Sequence, residues 1–544
     1  MSLKLISLKP MALKLMILKL AVLCLIALSG TAPPAGSARA ETPTPSGLSA
    51  REKRGKEIYV RGVSPAGREI TAILGGGSVA VPATVMPCAS CHGLDGAGKR
   101  EGGVIPSDVT WEALTKPHGN PAASGREHPP YTDRLLEDAI TRGIDPAGND
   151  LLAAMPRYKM SAEDLSDLIS YLKRVGKETD PGIAHTSIVV GTVLPPGGPM
   201  AEMGRAMKAV MSAYFDQVNQ QGGIYNRRID FKSVESAQTP EATAADVKAF
   251  AEREGVFAMV GAFIAGADRE IASLLEKEEV PLIGPWTLYP QVDFPLNRRV
   301  FYLLPGLAEQ SLALANFAAQ DRGGPAPQIA IVYSEADAGS ASAIAEQCKS
   351  FGWNSVTGYK YSHAQFDGAA LARSLTHQNA RAVFFLGKAQ ELKALFQEGV
   401  APGWTPKIYM PGSFAGKEIF ELPERLSGNV FLSFPTVPQD QTEEGLAEYR
   451  ALAKQYGLPS GHPASQLLAY CAAKTFVHAL KLAGRDLSRE RLVAALENLS
   501  EFKTGLLPPI TYGPNRRVGA SGSYIVSVDL QKKGFTRLGG RLNP

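Results

Sequence analysis

Residues 88–92 read Cys88-Ala89-Ser90-Cys91-His92. Two thiols at this spacing stand one helical turn apart. Both can add to the vinyl groups of one haem while the adjacent histidine reaches the iron. Other uses of the motif fit less well. A zinc site needs two more ligands, and His118 and His128 lack the close spacing such sites show. A thiol redox pair opens a helix after a strand, whereas Pro87-Cys88 follows a loop with Gly, Val and Pro. A plain disulfide leaves His92 unexplained. Cys88 and Cys91 are therefore expected to hold one covalent haem c, with His92 as an axial ligand of the iron.

The opposite axial ligand is sought downstream. Met155-Pro156 precedes Ser161-Ala162-Glu163-Asp164, a helix-start signature. Leu165, Leu168, Ile169, Leu172 and Val175 then repeat at helical spacing. A methionine loop thus runs into a capped amphipathic helix, and Met155 is the expected second ligand. A thioether opposite histidine raises the potential, which suits electron transfer. Met160 and a histidine are the rivals. Core packing is the ordinary fate of a methionine.

With Gly55-Lys56-Glu57-Ile58-Tyr59 in an opening helix and Asp167-Leu168-Ile169-Ser170-Tyr171-Leu172 in a closing one, residues about 51–178 resemble a class I cytochrome c. The resemblance implies a small all-α domain whose first and last helices cross above the haem. It also implies a redox partner, a dehydrogenase or another cytochrome. Arg61 to Pro87 departs from the pattern as an insertion that covers a haem edge or meets the rest of the chain.

The first forty residues carry Lys4, Lys9, Lys14, Lys19 and Arg39, no acid, an apolar run from Leu20 to Leu28, and Ala38-Arg39-Ala40 before Glu41. That order is the layout of a secretory signal peptide, and the run is too short to span a membrane. Residues 1–40 are expected to be removed near Ala40-Glu41, leaving a periplasmic protein. The formal charge then falls from +4 to −1, because the basic excess belonged to the leader. No nucleic-acid partner is expected. The five cysteines divide into Cys24 in the leader, two on haem, and Cys348 and Cys471, expected as buried thiols.

With 544 residues, several compact units are expected. The polar stretch 179–184 reads as a linker between a domain at 41–178 and a second at 185–544. In the second, short apolar strands at 257–260, 281–283, 329–333, 382–386 and 429–434 alternate with helical stretches at 242–254, 266–278, 309–320, 340–351 and 464–483. Such alternation implies parallel sheets, here too long for one lobe, with ligands at the strands' C-terminal ends.

Asp216-Gln217-Val218-Asn219 with Gly222-Gly223-Ile224, Val260-Gly261, Val280-Pro281-Leu282-Ile283, Ala469-Tyr470 and Gly513-Pro514-Asn515 carry a second resemblance. It is to the type I periplasmic solute-binding proteins, in the branch of leucine-binding receptors. It implies a two-lobed α/β fold, three crossovers, a small molecule in the interlobe cleft, and an ABC permease as a partner. In the amino-acid receptors of that family, hydroxyls and amides on two first-lobe loops hold the ligand carboxylate, and a second-lobe acid holds the ammonium. The matching positions here are Ala265 and Gly266, Trp286 and Thr287, and Ser413, with only one first-lobe hydroxyl and no acid. A zwitterion would lack partners, so a ligand other than an amino acid is expected. Trp286 and Tyr289 suit an apolar or aromatic one, or simply pack the lobe.

His185, His363, His377, His462 and His478 show no metal-ligand spacing, and no nucleophile elbow, phosphate loop or carboxylate pair stands out. The expectation is a binding and electron-transfer protein in which haem and receptor are coupled. An importer receptor with an accessory haem domain, and a haem enzyme with an open iron position, are the alternatives.

Overall fold

The computed structural model describes residues 48–543, except 76–78, 99–105, 117–127, 178, 196, 238, 321–326 and 398–402. The expected leader with its Ala40-Glu41 junction, Cys24 and His118 lie outside the described residues.

The N-terminal domain comprises α1 (Ala50–Arg61), β1 (Thr71–Leu74), β2 (Val79–Pro82), α2 (Cys88–His92), α3 (Trp111–Leu114), α4 (Asp133–Thr141), β3 (Arg157–Lys159) and α5 (Ala162–Leu172). Ser49 and Glu52 form a capping box at the start of α1, and Gly62 closes it in the left-handed region at φ 67°. α1 and α5 pack together, and Gly55 sits at their contact. A Cβ there would lie 2.0 Å from the Asp167 carbonyl oxygen, so only glycine permits this approach. The Tyr59 and Tyr171 rings lie nearby, 5.4 Å apart and tilted by 56°, and Arg54 pairs with Asp167 at 2.6 Å.

The helical frame expected for this domain carries one addition, a three-stranded antiparallel sheet ordered β2-β1-β3. The 61–87 insertion supplies two of its strands, and the residues just after Met155-Pro156 supply the third, with Ala72 opposite Tyr158. Arg68, also in the insertion, donates to Asp164 at 3.0 Å. The insertion therefore braces the methionine loop. Its Gly, Val and Pro content gave no strand signal because the pairing partner is remote in sequence.

The first lobe has β4 (Ser187–Leu194), α6 (Ala201–Gln220), β5 (Arg228–Glu235), α7 (Pro240–Glu254), β6 (Ala258–Val260), α8 (Asp268–Lys277), β7 (Leu282–Ile283) and β8 (Val300–Phe301), in a parallel sheet ordered β5-β4-β6-β7-β8. The chain then passes through α9 (Leu307–Gln320), β9 (Ile329–Ser334), α10 (Ala338–Ser350), β10 (Val356–Tyr361), α11 (Gly368–His377), β11 (Ala382–Leu386), α12 (Ala389–Gln397), β12 (Lys407–Pro411) and β13 (Val430–Phe434) of the second lobe. It returns to the first lobe with α13 (Glu443–Tyr456), α14 (Pro463–Ala483) and α15 (Arg489–Glu497), and ends in the second with β14 (Ser523–Asp529) and β15 (Gly534–Leu542). The second sheet runs β10-β9-β11-β12-β13-β14-β15. Its last two strands are antiparallel, a departure from the all-parallel expectation. The chain thus crosses between lobes three times.

Cys471 lies in the first-lobe core and Cys348 in a second-lobe core. Both are unpaired and fully buried, and burial pushes each thiol up to about 12. The stretch 179–184 is partly exposed and is tied to the first lobe at two points. A Cβ on Gly182 would meet the Gly255 carbonyl oxygen at 2.4 Å, and Asp180 accepts from the Arg489 backbone N–H at 2.5 Å.

Haem-binding domain and ligand cleft

The C-x-x-C-H run forms a single helical turn, α2, so both thiols and the histidine face one region. That region is a cavity of about 360 Å³ bordered by Cys88, Cys91 and His92 on one side and Met155 and Pro156 on another. Leu136, Ile140, Leu168 and Leu172 supply much of its apolar wall. Its volume lies in the range of small-molecule and cofactor sites. The His92 Nδ1 atom is 2.9 Å from the Ser107 carbonyl oxygen. Nδ1–H donating to that oxygen fixes the tautomer whose Nε2 lone pair is available to a metal. Burial pushes the ring's pKa down, keeping it neutral, as a ligand must be. The donor set, the apolar wall and the thiol spacing fit haem c.

The sheet described above bears on this cavity. Tyr158, in β3, donates to the Met86 carbonyl oxygen at 2.6 Å and so ties the methionine side to the residues just before Cys88. Arg157 donates to the carbonyl oxygens of Met155 at 2.5 Å and Leu151 at 2.8 Å. Met160 packs against the helical core. His128 also borders the cavity, with its Nδ1 2.8 Å from the Pro129 carbonyl oxygen and its ring edge-on to Tyr131. Ser107, Tyr158 and Arg157 carried no sequence signal: all three act through or on backbone oxygens that only the fold brings within reach.

The ligand cleft of the receptor lies where the C-terminal ends of the parallel strands of the two lobes face each other. The loop after β6 carries Phe263 to Gly266, and the loop after β7 carries Trp286 to Tyr289. Phe263 and Trp286 stack at 5.3 Å and 21°, and Trp286 leans on the first-lobe core. Ala265 packs beside it on the same core. Gly266, at φ +89°, donates its N–H to Asp268 at 3.0 Å. Thr287 accepts the Tyr289 N–H at 2.9 Å and gives its single proton to Asp268. Thr287 was the one hydroxyl expected to meet a ligand, and a carboxylate of the chain holds it instead. Across the cleft, Tyr289 donates to Asp337 at 2.9 Å, and Ser334 donates to the same carboxylate at 2.5 Å. Burial pushes Asp268 above the usual carboxylate range and Tyr289 above the usual phenol range. Ser413, after β12, donates to Gln310 at 3.3 Å and is not brought onto Asp268. Asp268 and Asp337 were missed because each reads as an ordinary helix-start residue.

A larger void of about 1230 Å³, lined by Trp353, Trp404 and Arg381, lies at the opposite, N-terminal edge of the second-lobe sheet. It is away from the crossovers and the facing strand ends.

The haem-binding domain meets the first lobe at the N-terminal edge of that lobe's sheet. Lys56 pairs with Glu279 at 3.9 Å, Arg61 with Glu276 at 4.0 Å, and Asp95 with Arg491. Arg489 reaches the Val256, Phe257 and Glu278 carbonyl oxygens, just before β6 and β7. Beneath them Glu490 contacts Arg299 at 2.5 Å and Arg298 at 3.3 Å. The haem-binding domain and the loops after β6 and β7 therefore lie at opposite ends of one sheet.

Two family models match. The model described as periplasmic binding protein covers residues 187–534, well over half of the chain, and the cytochrome c model covers 83–176. No curated protein matches. Among solved structures, a fatty acid ABC transporter substrate-binding protein from Thermomonospora curvata is 19% identical, with TM-score 0.52, covering 68% of this chain and 95% of its own. A branched-chain amino acid ABC transporter protein from Thermus thermophilus with bound valine is 15% identical, with TM-score 0.54, covering 66% and 97%. A leucine-binding protein from Thermotoga maritima is 17% identical, with TM-score 0.51, covering 65% and 99%. At these identities the likeness is one of fold. The chain belongs to the periplasmic binding protein family and carries, ahead of that receptor fold, a cytochrome c domain for covalently attached haem c.

Proposed function

We propose that the protein is an exported one-electron carrier joined to a small-molecule receptor and working in the periplasm. Cys88 and Cys91 would hold the haem through thioethers, and His92 and Met155 would ligate its iron. The observation that carries this reading is the His92–Ser107 hydrogen bond on the cavity that Met155 also borders. Haem c, once attached, supplies a ferric/ferrous couple. The apolar wall keeps water from it, Ser107 orients His92, and Arg157 holds the methionine loop. Electrons pass to or from a periplasmic dehydrogenase or another cytochrome.

The receptor takes its ligand between Trp286, Thr287 and Gly266 of one lobe and the Asp337 and Ser413 loops of the other. The relatives of this fold that bind valine or are described as fatty acid receptors serve ABC transporters, so an importer role is the companion reading. β4 has eight residues, about 26 Å of extended chain, and that scale separates cleft from haem. Ligand and haem therefore do not meet. Joining them raises their mutual effective concentration and lets lobe closure be felt at the haem domain through Arg489 and Arg491.

Three measurements test this. A ferric absorption band of Fe–S(Met) near the red end of the spectrum, lost in Met155→Leu, supports Met155; its absence in the parent assigns the position to His128 or leaves it open. Redox titration with and without ligand tests the coupling, and identical potentials and electron-transfer rates count against it. Transport by a Cys88→Ala, Cys91→Ala protein supports the importer reading.

A further inference from the structure

The chain meets the hydrogen-bonding needs of its own cleft in a one-sided way. The Gly266 N–H and Thr287 hydroxyl of the first lobe both point at Asp268. The Tyr289 and Ser334 hydroxyls both point at Asp337. Thr287 has one proton, which it gives to Asp268 while its oxygen accepts the Tyr289 N–H. The four donors at these two loops and their facing loop are thus consumed by carboxylates of the chain. Asp268 is 7% exposed and Asp337 2%. Among the described residues neither has an ion-pair partner within 4.0 Å.

An anion entering here meets two buried carboxylates that already take these four donors, so they do not replace its lost hydration. A donor meets the opposite situation. Each carboxylate has about four lone-pair positions, and two are filled on each. The stacked Phe263 and Trp286 beside them offer an apolar wall.

We propose that the cleft takes a small hydrogen-bond donor, a hydroxyl or amine compound with an apolar body and no carboxylate, and that Asp268 and Asp337 set this preference. The proposal rests on the receptor reading above. It also gives the chain a reason to differ from the valine-bound Thermus thermophilus protein.

The test uses the purified holoprotein and thermal unfolding, with benzyl alcohol, benzylamine, benzoate and L-leucine as probes at equal concentrations. Saturable stabilisation is expected from the alcohol or the amine, and none from benzoate or leucine. The alcohol and amine arms separate a hydroxyl from an ammonium ligand. Asp268→Asn and Asp337→Asn, which keep the side-chain shape, are each expected to weaken that binding about tenfold or more. Asp268→Ala frees the Gly266 N–H and the Thr287 hydroxyl and is expected to gain acetate binding that the parent lacks, lost again with Thr287→Val. Parent protein that takes benzoate or leucine as tightly as the alcohol or amine overturns the donor preference and leaves the receptor reading standing. Asn variants that bind like the parent also overturn it. Absence of stabilisation by every probe, in parent and variants, overturns both.

Discussion

The guanidinium of Arg157 donates to the carbonyl oxygens of Met155 and Leu151, at 2.5 and 2.8 Å, and so spans the loop that presents the methionine. Its space is guarded, since a Cβ on Gly143 would lie 1.6 Å from Arg157 Nε. Hydrogen bonds from a charged donor contribute about 1.5–3 kcal/mol each. Arg157→Leu is expected to weaken the ferric Fe–S(Met) band and to lower the haem potential. Arg157→Lys should restore part of both. An unchanged band and potential, in a variant that still binds haem, would show that the loop holds itself.

The crossing of α1 and α5 depends on a missing side chain. Gly55→Ala places a methyl against the Asp167 carbonyl oxygen. Overpacking of this kind costs about 1–3 kcal/mol. Denaturant unfolding followed at the haem absorption should show a lower midpoint, while a receptor-lobe probe such as Trp404 fluorescence should move less.

Glu490 is buried between Arg299 and Arg298 where the haem-binding domain meets the first lobe. Burial pushes its carboxyl up, but the guanidinium groups of Arg299 and Arg298 overcome this and hold it near about 2. Its folded pKa lies below the ordinary value of 4.5. Its contribution, on the order of 3 kcal/mol, is therefore complete above about pH 4.5 and is lost as pH falls toward 2. Glu490→Gln should remove most of that acid sensitivity and cost about 3–5 kcal/mol at neutral pH, because two guanidinium groups lose their partner. A parent and variant with parallel stability–pH curves between 4.5 and 2 would refute the assignment.

Tyr289 and Asp337 join the lobes across the cleft. Tyr289→Phe removes the donor and leaves a buried carboxylate with one partner fewer, at a cost of about 1–3 kcal/mol. Small-angle scattering of the variant without ligand should give a larger radius of gyration than the parent. Equal radii and equal melting points would mean that other contacts hold the lobes.

The haem motif was readable at once because covalent attachment leaves residue types at a rigid local spacing, and Cys88, Cys91 and His92 fall within one helical turn. The receptor's strands and helices were readable for a related reason. A continuous apolar run such as Ala382 to Leu386 reports a buried strand, and its alternation with helical stretches such as 464–483 reports the fold class. The insertion at 61–87 and the final hairpin were not, since β1 needs Tyr158 and β14 needs Phe431 before their edges are paired.

At the two sites the division is similar. Local spacing, strand and helix alternation and two family resemblances were enough to specify a haem domain and a two-lobed α/β receptor. What the tertiary structure decided was which groups meet: Ser107 on His92, Arg157 on Met155, Asp268 on Thr287, and the haem-binding domain on the far edge of the first-lobe sheet. These are contacts between backbone oxygens, buried carboxylates and residues far apart in the chain. Their energies depend on distance and desolvation, which a linear sequence does not record.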